Sequence, residues 1–574
     1  MAFCAALGAV ACAAPAPGTG EDDGTNGMLR GEIRRAIEDR EDGTSQTAYF
    51  ARSSDDREWR LSFDRDPGLA TDARVALRGR RAGDVFVVSD FTIDDGPLAA
   101  TPRREALTAV TPVPTRTFAF VLVDTGGGVN ITANAARQVL FDANFFMPGR
   151  GSVRRYYREQ SYGIQDITGD VFGPLSYAPT SSCDTAVVSA TLRAQVDQLA
   201  GGRSDHYLWY FGSRQSGCGF AGAAALGSPA RPQQDSWYNA SSGCSVLVQE
   251  PGHNLGLQHS SSMVCPGNQP FVDAPDRTCT HNEYGDLFDT MGSGCRQMNG
   301  WQKSFQGWLQ GCNSVKVTAS GTFNLFPLEA ACDGVQLLQI SMPKTRPFSH
   351  SGGGSGAMVD SDLLTSYYVE LRAPIGFDQG LAPMVLVHVA GDRGDPFASG
   401  LHTWLLDMTP GTPTFADAAL PVGQSFKDPA GGLTISVLSA SATQASIKVE
   451  VSNPSNGGGP PTCLDGTTLI APGPTSCSAA VTGTGGAGGD RGDGDNPSDG
   501  GRGGAGGSGL APGDAASPGD GADDTAGDLS GAVAPPGGCA CKLAPSAPDA
   551  GPAALLAAPA LAAAALLTRR RRRR

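Results

Sequence analysis

The segment Gln249-Glu250-Pro251-Gly252-His253-Asn254-Leu255-Gly256-Leu257-Gln258-His259 concentrates residue types that bind and use a cation. Gln249 and His253 are four positions apart, so on a helix their side chains share a face and reach one ion. Glu250 follows Gln249 and is placed to meet a water on that ion and take its proton. Gly256 comes three residues after His253 and lets the helix end in a left-handed turn at little steric cost. The returning chain then brings His259 to the same ion. Three protein ligands with one open position make a catalytic type of site. A metal there draws the pKa of bound water toward neutrality and polarises a scissile carbonyl. Pro251 removes a helical bond to Leu247 and costs about 3 kcal/mol. Metal binding in structural sites contributes about 10 kcal/mol or more, so the proline points to altered helix geometry and not to absence of metal.

The segment resembles the metzincin pattern His-Glu-x-x-His-x-x-Gly-x-x-His, with Gln249 in the first ligand position. Downstream, Tyr284-Gly285-Asp286-Leu287-Phe288-Asp289-Thr290-Met291-Gly292 resembles the methionine turn of that group. Within it the chain is most similar to the gametolysin-like peptidases. Supporting likeness comes from Ser161-Tyr162-Gly163 after Tyr156-Tyr157, and from Tyr367-Tyr368-Val369-Glu370-Leu371-Arg372. The resemblance covers about residues 115 to 450. It implies Gln249, His253 and His259 as metal ligands, Glu250 as general base and Met291 as an apolar floor. It also implies Zn2+ as cofactor and an extracellular protein or peptide as substrate. An amide oxygen is a weaker zinc ligand than imidazole, which leaves another divalent metal such as copper open. Some gametolysin-like members also carry Gln at this position.

The remaining candidates read more plainly. His281 is a loop residue that could replace Gln249 as third ligand, without a spacing rule behind it. His206, His350, His388 and His402 read as structural. Tyr284 reads as a packed tyrosine, with oxyanion stabilisation as the alternative. The Arg-Gly-Asp triplets at Arg393 and Arg491 read as accidents of composition.

The elements that must position the site follow from periodicity. Phe118 to Val123 is a continuous apolar run, expected as a buried strand. Ala135, Ala136, Val139, Leu140 and Ala143 have helical spacing. Ser152 is placed to cap a helix to Gln160, and Leu192, Val196 and Leu199 mark another, stopped by Gly201-Gly202. Tyr207 to Phe211 is expected as a strand. This mixture predicts an α/β metzincin-like catalytic domain over 115–313. Strand signals at 315–318, 335–340, 367–371 and 447–451, separated by turns, predict an all-β sandwich domain over 314–452. Before the catalytic domain, residues 21–100 read as a small β-rich N-terminal region and a candidate pro-region, with strands at 59–63 and 85–88. It has no cysteine, which excludes a thiolate that shields the metal. Thr101 to Pro114 is a Pro/Thr-rich connector.

The 574 residues are too many for one core. The net charge of -14 argues against nucleic acid as partner. Of 14 cysteines, eight run from Cys183 to Cys332 around the site and read as disulfides of an oxidising compartment, since no Cys-x-x-Cys pair suggests a zinc cluster. Residues 1–20 resemble a signal peptide. Residues 453–538, rich in Gly, Pro, Ser and Asp, are expected as a disordered linker. Residues 539–574 carry a Cys motif, an apolar stretch from Pro552 to Leu567 and six terminal arginines. They resemble the C-terminal sorting signal of many myxobacterial surface proteins and imply transient membrane association.

These readings converge on a secreted or surface-anchored metalloendopeptidase. The competing readings are a catalytically degenerate metzincin-fold protein that binds a partner at the cell surface, and a metal-binding adhesin.

Overall fold

The computed structural model describes residues 26–93, 115–452 and 459–469 apart from short internal stretches, of which 351–359 and 392–401 are the longest. The expected signal peptide, most of the linker and the C-terminal sorting signal lie outside the described residues. Strands predominate and are distributed over several sheets. Among the described residues no helix is long and apolar enough to cross a membrane.

The N-terminal region forms β1 (Asn26–Arg40), β2 (Ser45–Ser53), β3 (Glu58–Ser62), β4 (Arg74–Ala82) and β5 (Val85–Ile93). Then come β6 (Thr115–Asp124), α1 (Ala133–Phe141), β7 (Phe146–Met147), β8 (Arg150–Gly151), α2 (Val153–Gln160), β9 (Asp166–Ser176) and α3 (Thr185–Ala200). They are followed by β10 (His206–Phe211), β11 (Phe220–Ala225), β12 (Asp235–Asn239) and α4 (Cys244–Asn254). Local chemistry accounts for the helix ends. Ser152 Oγ accepts from Arg155 N at 3.0 Å as the N-cap of α2. Gly201, at φ +72°, ends α3 in the left-handed region.

Ten strands make one sheet in the order β2-β3-β5-β4-β1-β11-β12-β10-β6-β9. β12, β10, β6 and β9 run parallel, and β11 lies antiparallel beside β12. β1 then pairs antiparallel with β11 through Ala36 to Arg40. The N-terminal strands therefore continue the central sheet past β11, the strand that flanks the site helix. β10 is buried along its whole length, as its unbroken apolar run requires.

Beyond α4 the chain forms β13 (Ser260–Val264), α5 (Pro275–Thr278), β14 (Thr280–Asn282), α6 (Gly300–Phe305), β15 (Ser314–Val317) and β16 (Gly321–Leu325). Next are β17 (Leu337–His350), β18 (Asp360–Arg372), β19 (Met384–Ala390) and β20 (Thr403–Leu406). The last are β21 (Ser425–Lys427), β22 (Leu433–Ala440), β23 (Ala445–Val451) and β24 (Thr462–Cys463). An eight-stranded sheet, β14-β13-β20-β19-β18-β17-β15-β24, and a four-stranded sheet, β16-β23-β22-β21, share one apolar core built from residues such as Ile340, Val369, Ile435 and Ile447. β13 follows directly after His259, so the chain leaving the site helix enters this second sheet through the β13 to β20 pairing.

The expectation of a linker from 453 onward starts too early. Thr462 and Cys463 pair with Lys316 and Val315, and Cys463 is disulfide-bonded to Cys312. A covalent bond and ladder hydrogen bonds hold this short piece against the fold, which composition alone does not reveal. The same bond means that the eight cysteines from Cys183 to Cys332 do not pair only among themselves. Among the described residues Cys183–Cys218, Cys244–Cys295 and Cys265–Cys279 are bonded as well, and Cys332 is also disulfide-bonded. Several disulfides fit an extracellular or otherwise oxidising compartment.

Candidate metal centre

α4 runs from Cys244 to Asn254 and continues through Pro251. Leu255 caps it, and the next residue, Gly256, has φ +95°. Gly256 N donates to His253 O at 2.8 Å and Leu257 N donates to Gly252 O at 3.0 Å, the bond pair of a Schellman motif. A Cβ at Gly256 would lie 2.6 Å from Ser228 Cα, so both conformation and space demand glycine. This reversal carries the chain back to His259, and the His253 and His259 ring centroids are 4.8 Å apart. Asn254 anchors the helix end, donating to Ala225 O at 2.8 Å and Asp235 O at 2.9 Å. Cys244–Cys295 ties the helix start to the chain just past Met291.

The tautomers of both histidines are set by their second nitrogens. His253 Nδ1 lies 2.7 Å from Leu257 O, an acceptor only, so Nδ1 carries the proton. His259 Nδ1 lies 2.5 Å from Glu283 Oε1. Both Nε2 atoms are thereby presented to one point, and a third group already meets them there. Asp39 Oδ1 is 2.9 Å from His259 Nε2, and Asp39 Oδ2 is 3.4 Å from His253 Nε2. The donor atoms of Asp39, His253 and His259 all lie within 4.8 Å of one another, and all three residues are buried. Tyr284 Oη donates to Asp39 Oδ1 at 2.7 Å. Tyr284 is thus buried and hydrogen-bonded, and its phenol is spent on Asp39.

Asp39 is the residue that sequence reasoning missed. The β1–β11 register shifts between Asp39 and Arg40, where Asp39 faces Gly222 and Arg40 faces Phe220. Such irregularities re-aim side chains beside sites. The N-terminal region has no thiolate to offer the centre, but it offers this carboxylate. One signal was available in the sequence: on β1, Leu29, Ile33, Ile37 and Asp39 fall in one alternating phase, and all are buried.

Glu250 lies against β11. A Cβ at Gly222 would come within 1.9 Å of Glu250 Oε1, so only glycine opposite leaves room for this carboxyl. Both Glu250 carboxyl oxygens and the Gln249 amide nitrogen are buried without hydrogen-bond partners. Groups left so cost free energy unless something else engages them. Gln249 sits one helical turn before His253, which satisfies the spacing. Burial, and then the neighbouring Asp39 charge, push the Glu250 carboxyl well above the usual carboxylate range. Burial alone would lower His259, but Asp39 and Glu283 outweigh it and raise the imidazole to about 10. Against the opposing effect of burial, the charges of His259 and His253 hold Asp39 well below the ordinary range.

Met291 lies under the helix and is fully buried. A Cβ at Gly252 would be 2.7 Å from Met291 Sδ, so this side chain touches the helix at its glycine. Asp289 Oδ1 accepts from Met291 N at 2.7 Å, and Ser260 N donates to Met291 O at 2.9 Å. Asp286 pairs with His388 Nε2 at 2.8 Å, which gives His388 a place in the turn's support. His206, whose Nδ1 lies 3.4 Å from Asn254 Oδ1, belongs to the scaffold of the helix end.

His281 is not brought to this point. Its Nδ1 accepts from Trp404 Nε1 at 3.0 Å, so Nε2 carries the proton toward Glu283 Oε2 at 2.9 Å. It steadies Glu283, which in turn orients His259. Ser45 Oγ, 2.9 Å from Glu283 Oε1, adds a second contact from the N-terminal sheet.

The donor set could hold a transition metal or zinc: two imidazoles whose Nε2 atoms converge, a carboxylate beside them and supported outer nitrogens. No protein-family model matches the chain, and no curated protein matches it.

Proposed function

We propose that the chain is a secreted or surface-anchored metalloendopeptidase of metzincin type, similar to the gametolysin-like group, held here in a latent form. One observation carries the reading: His253 and His259 aim Nε2 at one point, with their Nδ1 atoms tied to Leu257 O and Glu283 Oε1. The parallel sheet with an antiparallel strand beside the site helix, the glycine reversal and Met291 beneath the helix support it. Gln249, His253 and His259 would hold the metal, zinc or another divalent ion such as copper. When bound, that ion supplies Lewis acidity toward a water and a peptide carbonyl.

The residues divide the remaining work. Glu250 takes a proton from the attacking water as the new C–O bond forms, then passes it to the amine as the C–N bond breaks. Its two unpartnered oxygens leave it free to do so. His259 and His253 keep their orientation through Glu283 and Leu257. Tyr284 and Asp39 occupy the space a substrate carbonyl needs, and β1 covers the edge of β11 along which an extended peptide would pair. Opening the site to an extended protein substrate requires that the N-terminal strands withdraw, so the N-terminal region acts as a pro-region with an aspartate in place of a thiolate.

The test uses the full chain and the chain cut within the Thr101–Pro114 connector, each incubated with casein or gelatin. The expected result is cleavage by the cut protein, abolished by chelator and by Glu250→Ala. Metal bound by the cut protein with no cleavage of either substrate favours the degenerate binding protein or adhesin, the reading to which Gln249 in place of an imidazole lends weight.

A further inference from the structure

Five of the chain's seven histidines, His253, His259, His281, His350 and His402, lie in one continuous chain of contacts. Only two of them belong to the centre described above. At the far end of the chain His350 closes β17, Asp362 lies near the start of β18 and His402 immediately precedes β20. Asp362 sits opposite Phe348 in the β17–β18 ladder, and His402, adjoining β20, comes up against it.

From this geometry we infer a second metal site, formed by His350 Nε2, Asp362 and His402 Nδ1, for a divalent transition metal of the zinc class. The three donor atoms lie within 4.8 Å of one another and each residue is buried. His350 Nε2 is 2.8 Å from Asp362 Oδ2, and His402 Nδ1 is 3.4 Å from the same oxygen. Ligands held about 2.0–2.1 Å from one zinc ion stand roughly 3.3 Å apart in a tetrahedron, so small movements suffice. A second observation separates the site from a plain buried ion pair. Asp362 Oδ1 and His402 Nδ1 have no hydrogen-bond partner although both are buried. A salt bridge alone leaves these atoms unsatisfied, whereas a cation engages both.

The surroundings favour a nitrogen-binding metal over calcium. Two imidazoles and one carboxylate are too few oxygens for calcium, which takes six to eight. Trp404 lies 5.0 Å from the His350 ring and 5.8 Å from the His402 ring, and Phe348 is 5.3 Å from Trp404. This aromatic wall restricts water and holds both imidazoles. His281 stands 4.7 Å from His350 and reaches Glu283, the orienting partner of His259. The second ion thus clamps the end of the eight-stranded sheet next to the residues that steady the first site. The inference stands on its own residues and does not require peptidase activity.

The test is metal stoichiometry of the full chain purified from cobalt-containing or zinc-containing medium, with Co2+ absorption bands as a second readout. The wild-type chain is expected to hold two equivalents. His253→Ala/His259→Ala is expected to keep one, and adding Asp362→Asn is expected to remove it together with the remaining cobalt bands. One wild-type equivalent that disappears with His253→Ala/His259→Ala overturns the second site. One equivalent that instead disappears with Asp362→Asn upholds it and counts against the peptidase centre. Should Asp362→Asn unfold the chain, His402→Gln serves in its place, and the wild-type stoichiometry needs no variant. A residual equivalent that survives replacement of both His350 and His402 places the metal elsewhere and also overturns the proposal.

Discussion

Asp39 Oδ1 lies 2.9 Å from His259 Nε2, the one ring nitrogen that the bond to Glu283 leaves available. A strand from the N-terminal region thus reaches the atom that the returning loop after Gly256 exists to present. Asp39→Ala is expected to relieve this block without disturbing the imidazoles, which keep Leu257 O and Glu283. The full-length variant should cleave a short quenched peptide at least about tenfold faster than the full-length wild type, the equivalent of about 1.4 kcal/mol of lost competition. Equal rates for the two proteins, with activity in the cut wild type, would show that Asp39 is not the block.

Glu283 bridges His259 and His281 and is partly buried between them. Replacing it with Gln removes the charge that fixes the His259 tautomer. Removal of such outer partners usually lowers metal affinity by about 10- to 100-fold. Activity of the cut protein titrated against buffered free zinc should shift to higher zinc by that factor, with the plateau little changed. An unshifted titration would assign Glu283 a merely structural part.

Gly256→Ala places a Cβ in a left-handed backbone and 2.6 Å from Ser228 Cα. Strain at such a position costs on the order of 1–3 kcal/mol. The variant is expected to unfold at lower denaturant with the slope unchanged, and to bind zinc at the His253 and His259 site more weakly because the reversal carries His259. Wild-type stability and affinity together would remove the turn from the account.

Glu159 supplies a pH test away from the metal. Burial raises its carboxyl from 4.5 to about 7, against the Phe377 N hydrogen bond and the Lys303 and Arg155 charges, which favour the charged form. Its Oε1 accepts from Phe377 N at 2.7 Å and from Gln297 Nε2. The folded value exceeds the unfolded one, so the folded state binds more protons across this interval. Stability is therefore expected to fall as pH rises from 4.5 toward 7, by a contribution of about 3 kcal/mol. Glu159→Gln retains the accepting oxygen and carries no charge. Its melting temperature should exceed that of wild type at pH 8 and decline less between pH 5 and pH 8, as followed by circular dichroism. Parallel curves for the two proteins would contradict the assignment.

The sequence made the helix, its glycine stop and the position of Met291 legible because each depends on spacing within one short segment. The 3.6-residue period puts Gln249 and His253 on one face, and only glycine suits the turn that Gly256 makes. Strands such as β6 and β10 were legible from unbroken apolar runs. What was not legible depends on pairing between distant strands. Asp39 reaches His259 through the β1–β11 ladder, and no local pattern specifies which strand edge β1 will join. Its apolar phase with Leu29, Ile33 and Ile37 marked it as a buried carboxylate, though not which partner it meets. Glu283 and the triad of His350, Asp362 and His402 were hidden for the same reason, since they come from the end of β14, from β17 and β18 and from the residue before β20. Cys463 looked like linker because composition weighs the neighbourhood and not the disulfide to Cys312.

The central claim is that one cation is held between α4 and the chain that returns after Gly256. A crystal structure of the zinc-replete chain, with anomalous data collected on both sides of the zinc edge, tests it directly. An anomalous peak is expected about 2.0–2.1 Å from both His253 Nε2 and His259 Nε2, with Gln249 turned toward it. Zinc-replete crystals with no peak between these two nitrogens, and Asp39 still bonded straight to His259, would contradict it.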